Sequence, residues 1–146
     1  MTQFISPGAT IGIIGGGVTA FQMANAANSM GMRTVVLAPT QTDIAFEKAD
    51  IPLVGDATDR TALKELTQLS TVMTFTDENV DGSLLAELAT ANQLPSGVDI
   101  LTVTQDRYLE KVFLDDLNMN ILPYTQVITP NDIKEAVDTI LSLIHI

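Results

Sequence analysis

Thr10-Ile11-Gly12-Ile13-Ile14-Gly15-Gly16-Gly17-Val18-Thr19-Ala20 is the stretch that decides the fold. Thr10 to Ile14 is an apolar run of strand length, and a helical pattern runs from Val18 to Met30, with Gly31 placed to end it as a C-cap. Between them lies a GxGxxA turn. Glycine lets the backbone turn tightly and approach a ligand, and the unpaired amides of the following helix start attract an anion.

The same alternation continues outward. Arg33 to Leu37, Ile51 to Val54 and Val72 to Phe75 read as three more short strands. Asp59 is placed to cap a helix in which Leu63, Leu66 and Leu69 recur at helical spacing. Asp81 opens another, with Leu84, Leu85 and Leu88 on one face, and Leu94-Pro95-Ser96-Gly97 breaks it. Strands alternating with helices predict an α/β fold, a parallel sheet covered by helices. Further on, Asp106 to Leu117 reads as an amphipathic helix through Leu109, Val112, Phe113 and Leu117, and Ile121 to Ile128 looks extended. Thr129-Pro130 reads as a cap followed by proline at the first helical position, opening a last helix through Ile133, Val137 and Ile140.

Composition narrows the function. The 146 residues carry 7 Lys+Arg against 18 Asp+Glu, a formal charge of −11, which repels a phosphate backbone and argues against nucleic-acid binding. At 46% hydrophobic there is enough apolar material for one core. With no cysteine there is no disulfide, thiolate metal site or cysteine nucleophile, in keeping with a reducing cytoplasm, the expected location. The single histidine, His145, removes most zinc and Ser/His/Asp schemes. Residues 1–32 contain no charge, but glycines, Gln22, Asn25 and Asn28 make them too polar for a membrane span, and no basic start marks a signal peptide. No metal ligand set is expected here.

A dinucleotide site would also want an acid at the end of the second strand to hold ribose hydroxyls, and there the chain has Leu37-Ala38-Pro39. Nicotinamide or flavin binding, and a tight turn with no ligand, are the other readings of the glycines. A phosphate or small nucleotide-like substrate is the leading one.

Taken together, Gly12-Ile13-Ile14-Gly15-Gly16-Gly17, Ala49-Asp50, Phe75 with Glu78-Asn79-Val80, and the block from Gln105-Asp106-Arg107-Tyr108 to Leu114 resemble 5-(carboxyamino)imidazole ribonucleotide synthase. That family is the ATP-grasp ligase of purine biosynthesis. The resemblance runs over residues 9–140 in unbroken order. It implies a Rossmann-like preATP-grasp domain over residues 9–103, then a linking helix and the start of an ATP-grasp domain over residues 104–140. It further implies ATP and Mg2+ as cofactors, held mainly by domains beyond this sequence, and bicarbonate and aminoimidazole ribonucleotide as substrates. A homodimer is a further implication.

By the same resemblance, Gly15, Gly16, Gly17, Val18, Thr19 and Glu78 occupy substrate-binding positions, and Arg107 the place of an arginine that contacts ATP. The family's lysine and acids for nucleotide and magnesium lie further along, so no catalytic residue is expected here and the polypeptide alone is not expected to turn over. Read without the family, Arg107 is a solvated cation paired with Glu110 or Asp106, and Glu78 a carboxylate early in the following helix, favoured by its dipole. The chain departs from the family at Val18-Thr19-Ala20-Phe21-Gln22, where Gln-Leu-Gly-Arg-Met is usual, and at Thr76-Asp77, where Glu-Phe is. Phe21 is expected to pack. These losses fall where substrate would lie and keep open a ligase with another acceptor.

Val54-Gly55-Asp56-Ala57-Thr58-Asp59 resembles a turn in the nucleotide-binding regulatory domains of potassium transport systems, a rival reading that leaves the Gln105–Leu114 block unexplained. The last six residues, Leu141-Ser142-Leu143-Ile144-His145-Ile146, match a translation of CTG TCT CTT ATA CAC ATC, the end sequence of a transposon-based sequencing library. They are expected to be non-native, with Ile140 the last genuine residue. The alternative is a real apolar helix end.

Overall fold

The computed structural model describes residues 4–140; the expected adapter tail, with His145, lies outside them. By internal contacts the chain divides into two compact units, the first ending at Thr102 and the second beginning at Val103.

The first unit is a four-stranded parallel sheet: β1 (Thr10–Ile14), β2 (Arg33–Ala38), β3 (Ile51–Val54) and β4 (Val72–Phe75), in the order β3-β2-β1-β4. Register is set around β1, where Ile13 is opposite Val36 on one side and Thr74 on the other. Period-two alternation sends consecutive residues to opposite faces, and both faces are apolar, as a parallel sheet with helices on both sides requires. Ile14, Val35, Leu37 and Met73 pack with Leu63 and Leu66 of α2 (Arg60–Leu69), Leu85 of α3 (Gly82–Leu88) and Leu101 of α4 (Asp99–Thr104). On the other face Ile13 and Val36 meet Ala20 and Ala24 of α1 (Val18–Ser29) and Ala45 of a 3-10 turn, Ile44–Lys48. Alanines four apart present a flat strip to the sheet, so α1 lies close to it.

The caps follow from side-chain chemistry. Asp59 accepts from the amide of Thr61 at 2.6 Å and Asp81 from that of Leu84 at 2.9 Å, so α2 and α3 begin where those acids stand. Helix α1 ends in a Schellman motif. Met32 donates to the carbonyl of Ala27 and Gly31, at φ +77°, to that of Asn28, both at 3.0 Å.

Four segments depart from the expectations. The 3-10 turn and α4 were not foreseen, being five and six residues long and too short to show a period. In the second unit α5 (Arg107–Asp116) forms as expected, with Asp106 capping the amides of Tyr108 and Leu109, but it has no buried residue, and Leu109 and Phe113 are each 45% exposed. Residues 121–128 join no described sheet. The last helix, α6 (Asp132–Ile140), starts after Thr129-Pro130 rather than at it. The Asp132 carboxylate accepts from the amides of Ile128 (3.1 Å) and Thr129 (2.8 Å), closing a turn over those residues. These two bonds hold the Asp132 carboxyl below its ordinary value, Thr129 contributing most.

Candidate functional site

In an open parallel sheet, ligands bind beyond the carboxyl ends of the strands, where the strand order reverses. Here the chain runs outward from β1 to β2 and β3, then returns to place β4 on the other side of β1, so the reversal lies between β1 and β4. Gly15-Gly16-Gly17 leaves β1 at that point and Thr76 to Val80 leaves β4.

Two of the glycines are obligatory. Gly15 has φ +130°, and a Cβ on it would collide with the Thr76 hydroxyl. The Thr76 amide and hydroxyl both donate to the Ile14 carbonyl, at 3.0 and 3.2 Å, so the turn is clamped against the end of β4. A Cβ on Gly16 would run into the Asp43 carboxyl group. The Gly16 carbonyl accepts from the amide of Ala45 at 3.2 Å, which seats the 3-10 turn against the glycines. Gly17 is the N-cap of α1, in extended conformation; no side chain caps the helix and its first turn holds no acid.

Beside this turn is a cavity of about 180 Å3, lined by Gly15, Gly16 and Gly17, by Leu37, Ala38 and Pro39 after β2, and by Asp43, Asp56, Asp77 and Asn79 among others. Of the residues expected to bind substrate, it brings together the three glycines. Val18 and Thr19 are exposed at the start of α1 and are not among its lining residues. Glu78 is not either; its neighbours Asp77 and Asn79 are. Nor is Glu78 early in a helix, because Asp81 caps α3 three residues later; it is exposed in the turn between. Phe21 packs on the α1 face of the sheet, as expected, with the Lys48 ammonium 5.7 Å from its ring centre.

Sequence reasoning missed the acids. Ala38, at the end of β2, is buried and supplies none, but the loop beyond it brings Asp43 back to Gly16. Its only sequence signal is the Thr40-Gln41-Thr42-Asp43 spacing: Thr40 donates to Asp43 Oδ2 from its amide at 2.8 Å and its hydroxyl at 3.0 Å. Asp56 accepts from the Thr58 hydroxyl at 2.7 Å and amide at 2.8 Å, which holds its carboxyl below the ordinary value. The Val54–Asp59 string is therefore an Asx turn leading into the α2 cap.

Three carboxylates and no Lys or Arg line the cavity. Unit charges 4 Å apart interact by about 4 kcal/mol at an effective dielectric of 20, so the interior disfavours phosphate and favours hydroxyl or amine donors. An anion is better placed at the exposed amides of the α1 start. Among the described residues no three acids or histidines converge as a metal-binding set.

The second unit carries its own open groove of about 550 Å3, lined by Arg107, Tyr108, Glu110 and Lys111 of α5 and by Tyr124 to Val127, among others. The Arg107 side chain is 88% exposed and pairs with Glu110 at 2.6 Å, as its spacing predicts. Tyr108 and Tyr124 stack obliquely, ring centres 6.0 Å apart. Desolvation first, then the nearby Asp115 carboxylate, pushes the Tyr124 phenol above its ordinary value.

Residues 8–105 match the family model of the ribonucleotide synthetase preATP-grasp domain. The N5-carboxyaminoimidazole ribonucleotide synthase of Bacillus subtilis is 36% identical over 135 residues, covering 92% of this chain and 36% of that protein. A crystal structure of an N5-carboxyaminoimidazole ribonucleotide synthetase as its ADP complex superposes with a TM-score of 0.86 at 37% identity, covering 95% of this chain and 37% of the other. The Staphylococcus aureus N5-carboxyaminoimidazole synthetase complexed with ADP also gives 0.86, at 33% identity and the same 95% coverage, with 38% of that chain covered. The chain thus spans little more than a third of the length of the relatives it matches.

Proposed function

The chain belongs to the ribonucleotide synthetase preATP-grasp family, and from that premise we propose that it is the N-terminal part of an ATP-dependent ligase that carboxylates aminoimidazole ribonucleotide with bicarbonate in purine biosynthesis. The observation that carries the reading is the glycine turn at the reversal point of the sheet, clamped by Thr76 and opening on a cavity beside an uncapped helix start. Gly15, Gly16 and Gly17 form the floor against which the ribonucleotide lies. The exposed amides at Val18 and Thr19 face its phosphate. Glu78, in the turn after β4, closes the substrate side.

In this reading residues 9–103 are the substrate-side domain, and residues 104–140 are the linking helix and the opening of the ATP-grasp domain. Arg107 meets the nucleotide phosphates from the α5 groove, where its guanidinium is already held by Glu110. ATP, when bound, supplies the phosphoryl group that activates bicarbonate. Most contacts to it, and all ligands to Mg2+, come from the part of the ligase outside this sequence. The chain by itself does not turn over, and the complete ligase works as a cytoplasmic homodimer.

The test is an assay of the complete gene product for bicarbonate-dependent ATP hydrolysis. Stimulation by aminoimidazole ribonucleotide is the expected result. An active enzyme indifferent to that ribonucleotide would remove the named acceptor and leave a family member with another one, the outcome to which Val18, Thr19 and Thr76 would then be traced.

A further inference from the structure

We propose that Asp43 is a specificity-determining residue that accepts hydrogen bonds from the ribose hydroxyls of the bound ribonucleotide, supplying from the loop after β2 the carboxylate that Ala38 cannot. The inference rests on the reading of the glycine turn as the ribonucleotide site. Its geometry is independent of that reading. Both Thr40 donors converge on Oδ2, so the carboxylate is held in one orientation before any ligand arrives. Oδ1 is then the oxygen turned toward Gly16; a Cβ on that glycine would lie 2.7 Å from it, a space only glycine leaves open. Among the described residues Oδ1 receives no protein donor, and Asp43 lines the same cavity as the three glycines.

The chemistry selects the ligand group. With Asp56 and Asp77 on the same walls, an anion is repelled and a neutral donor is accepted. A ribose diol offers two O–H donors and no charge. A half-buried acceptor held in a fixed orientation favours a ligand with the matching donor over an analogue that lacks it, because Oδ1 then gives up hydration with no hydrogen bond in return.

The test titrates the isotope-labelled chain with aminoimidazole ribonucleotide and with its 2′-deoxy analogue, following the amide resonances of Gly16 and Gly17. Wild type is expected to bind the ribonucleotide at least about tenfold more tightly than the deoxy analogue. In Asp43→Asn the Thr40 donors retain the side-chain oxygen and turn the NH2 toward the ligand, so the preference is expected to vanish while the deoxy analogue binds as before. Wild type that does not discriminate, or Asp43→Asn that still does, overturns the role of Asp43 and leaves the site in place. A Gly17→Leu variant separates the two ideas: Gly17 lines the cavity, and a Cβ there meets nothing within 4 Å, so bulk is added at the cavity wall with no clash at the first side-chain atom. Loss of binding in Gly17→Leu upholds the site. Unshifted Gly16 and Gly17 amides in wild type, or unchanged binding in Gly17→Leu, overturn the site and the inference with it.

Discussion

The Asp50 carboxylate accepts the amide of Thr34 at 2.7 Å and its hydroxyl at 3.1 Å, tying the residue before β3 to the buried start of β2. The same hydroxyl lies 3.1 Å from the Lys48 carbonyl and accepts from the Asp50 amide at 3.1 Å, while Asn28 at the end of α1 donates to Lys48 at 2.7 Å. One fully buried threonine thus joins a helix end, a 3-10 turn and two strands at the pole of the sheet opposite the glycine turn.

Thr34→Val keeps the shape and removes the hydroxyl. Its partners at Lys48 and Asp50, half-buried and exposed, lose that bond and can turn to water, and the expected cost is about 0.5–1.5 kcal/mol in urea unfolding of the chain. The Gly16 and Gly17 resonances, at the far ends of the strands, are expected to stay where they are.

The glycine turn has unequal members. Gly15→Ala forces a side chain into a left-handed conformation and onto Thr76, and is expected to destabilise by about 1–3 kcal/mol. Gly17→Ala meets open space at an extended N-cap and is expected to cost less than about 1 kcal/mol. Thermal unfolding of both variants checks the order.

Acid unfolding has a named contributor in Asp81. The Leu84 amide first, then the Ser83 hydroxyl, hold its carboxyl below the ordinary value in the folded chain. A depressed carboxylate stabilises fully above its unfolded value, near 3.8, and the contribution is lost as pH falls through the folded one. Asp81→Asn still caps α3 but does not titrate, so it is expected to flatten stability against pH below about 4 and change little at neutrality. Urea midpoints across that range measure it.

Asn118 ends α5 at φ +54°, with its amide on the Asp115 carbonyl and that of Met119 on Leu114, the same motif that Gly31 makes after α1. Asn118→Gly removes the steric penalty and is expected to stabilise α5 by up to about 1 kcal/mol, read from the protection of its amides.

Arg107→Ala breaks an exposed ion pair of the kind worth 0–1 kcal/mol, so the melting temperature is expected to hold within the small shift that allows. Nucleotide affinity of the complete ligase is expected to fall at least tenfold, which separates an ATP contact from a solvated helix cation.

Much of this fold is legible from residue order because the signals are local. β1, β3 and β4 begin and end where the apolar runs do, and Asp59 and Asp81 cap where a short acid precedes leucines at helical spacing. What escaped depends on distant partners. Ile121 to Ile128 has strand-like residues but pairs with no strand among the described residues. The cavity was legible only on its glycine wall, because Asp43, Asp56 and Asp77 come from three different loops and converge only when the strands align. Ala38 suggested a site without an acid; the four residues from Pro39 to Thr42 were enough to bring one back.

The two outer strands explain why so short a sheet stops at four. On β3, Gly55 donates inward to Ala38, so alternate amides face outward, and one of those outward positions is Pro52, which has no N–H to offer. On β4, the outward amide of Met73 is already taken by the carbonyl of Gln93 at 2.6 Å, while the Gln93 side chain donates to Thr67 and Ser70. Neither rim offers a continuous row of donors to an incoming strand. A chain exposing this much backbone at its margins is guarded against edge-to-edge aggregation by one proline and one looped glutamine.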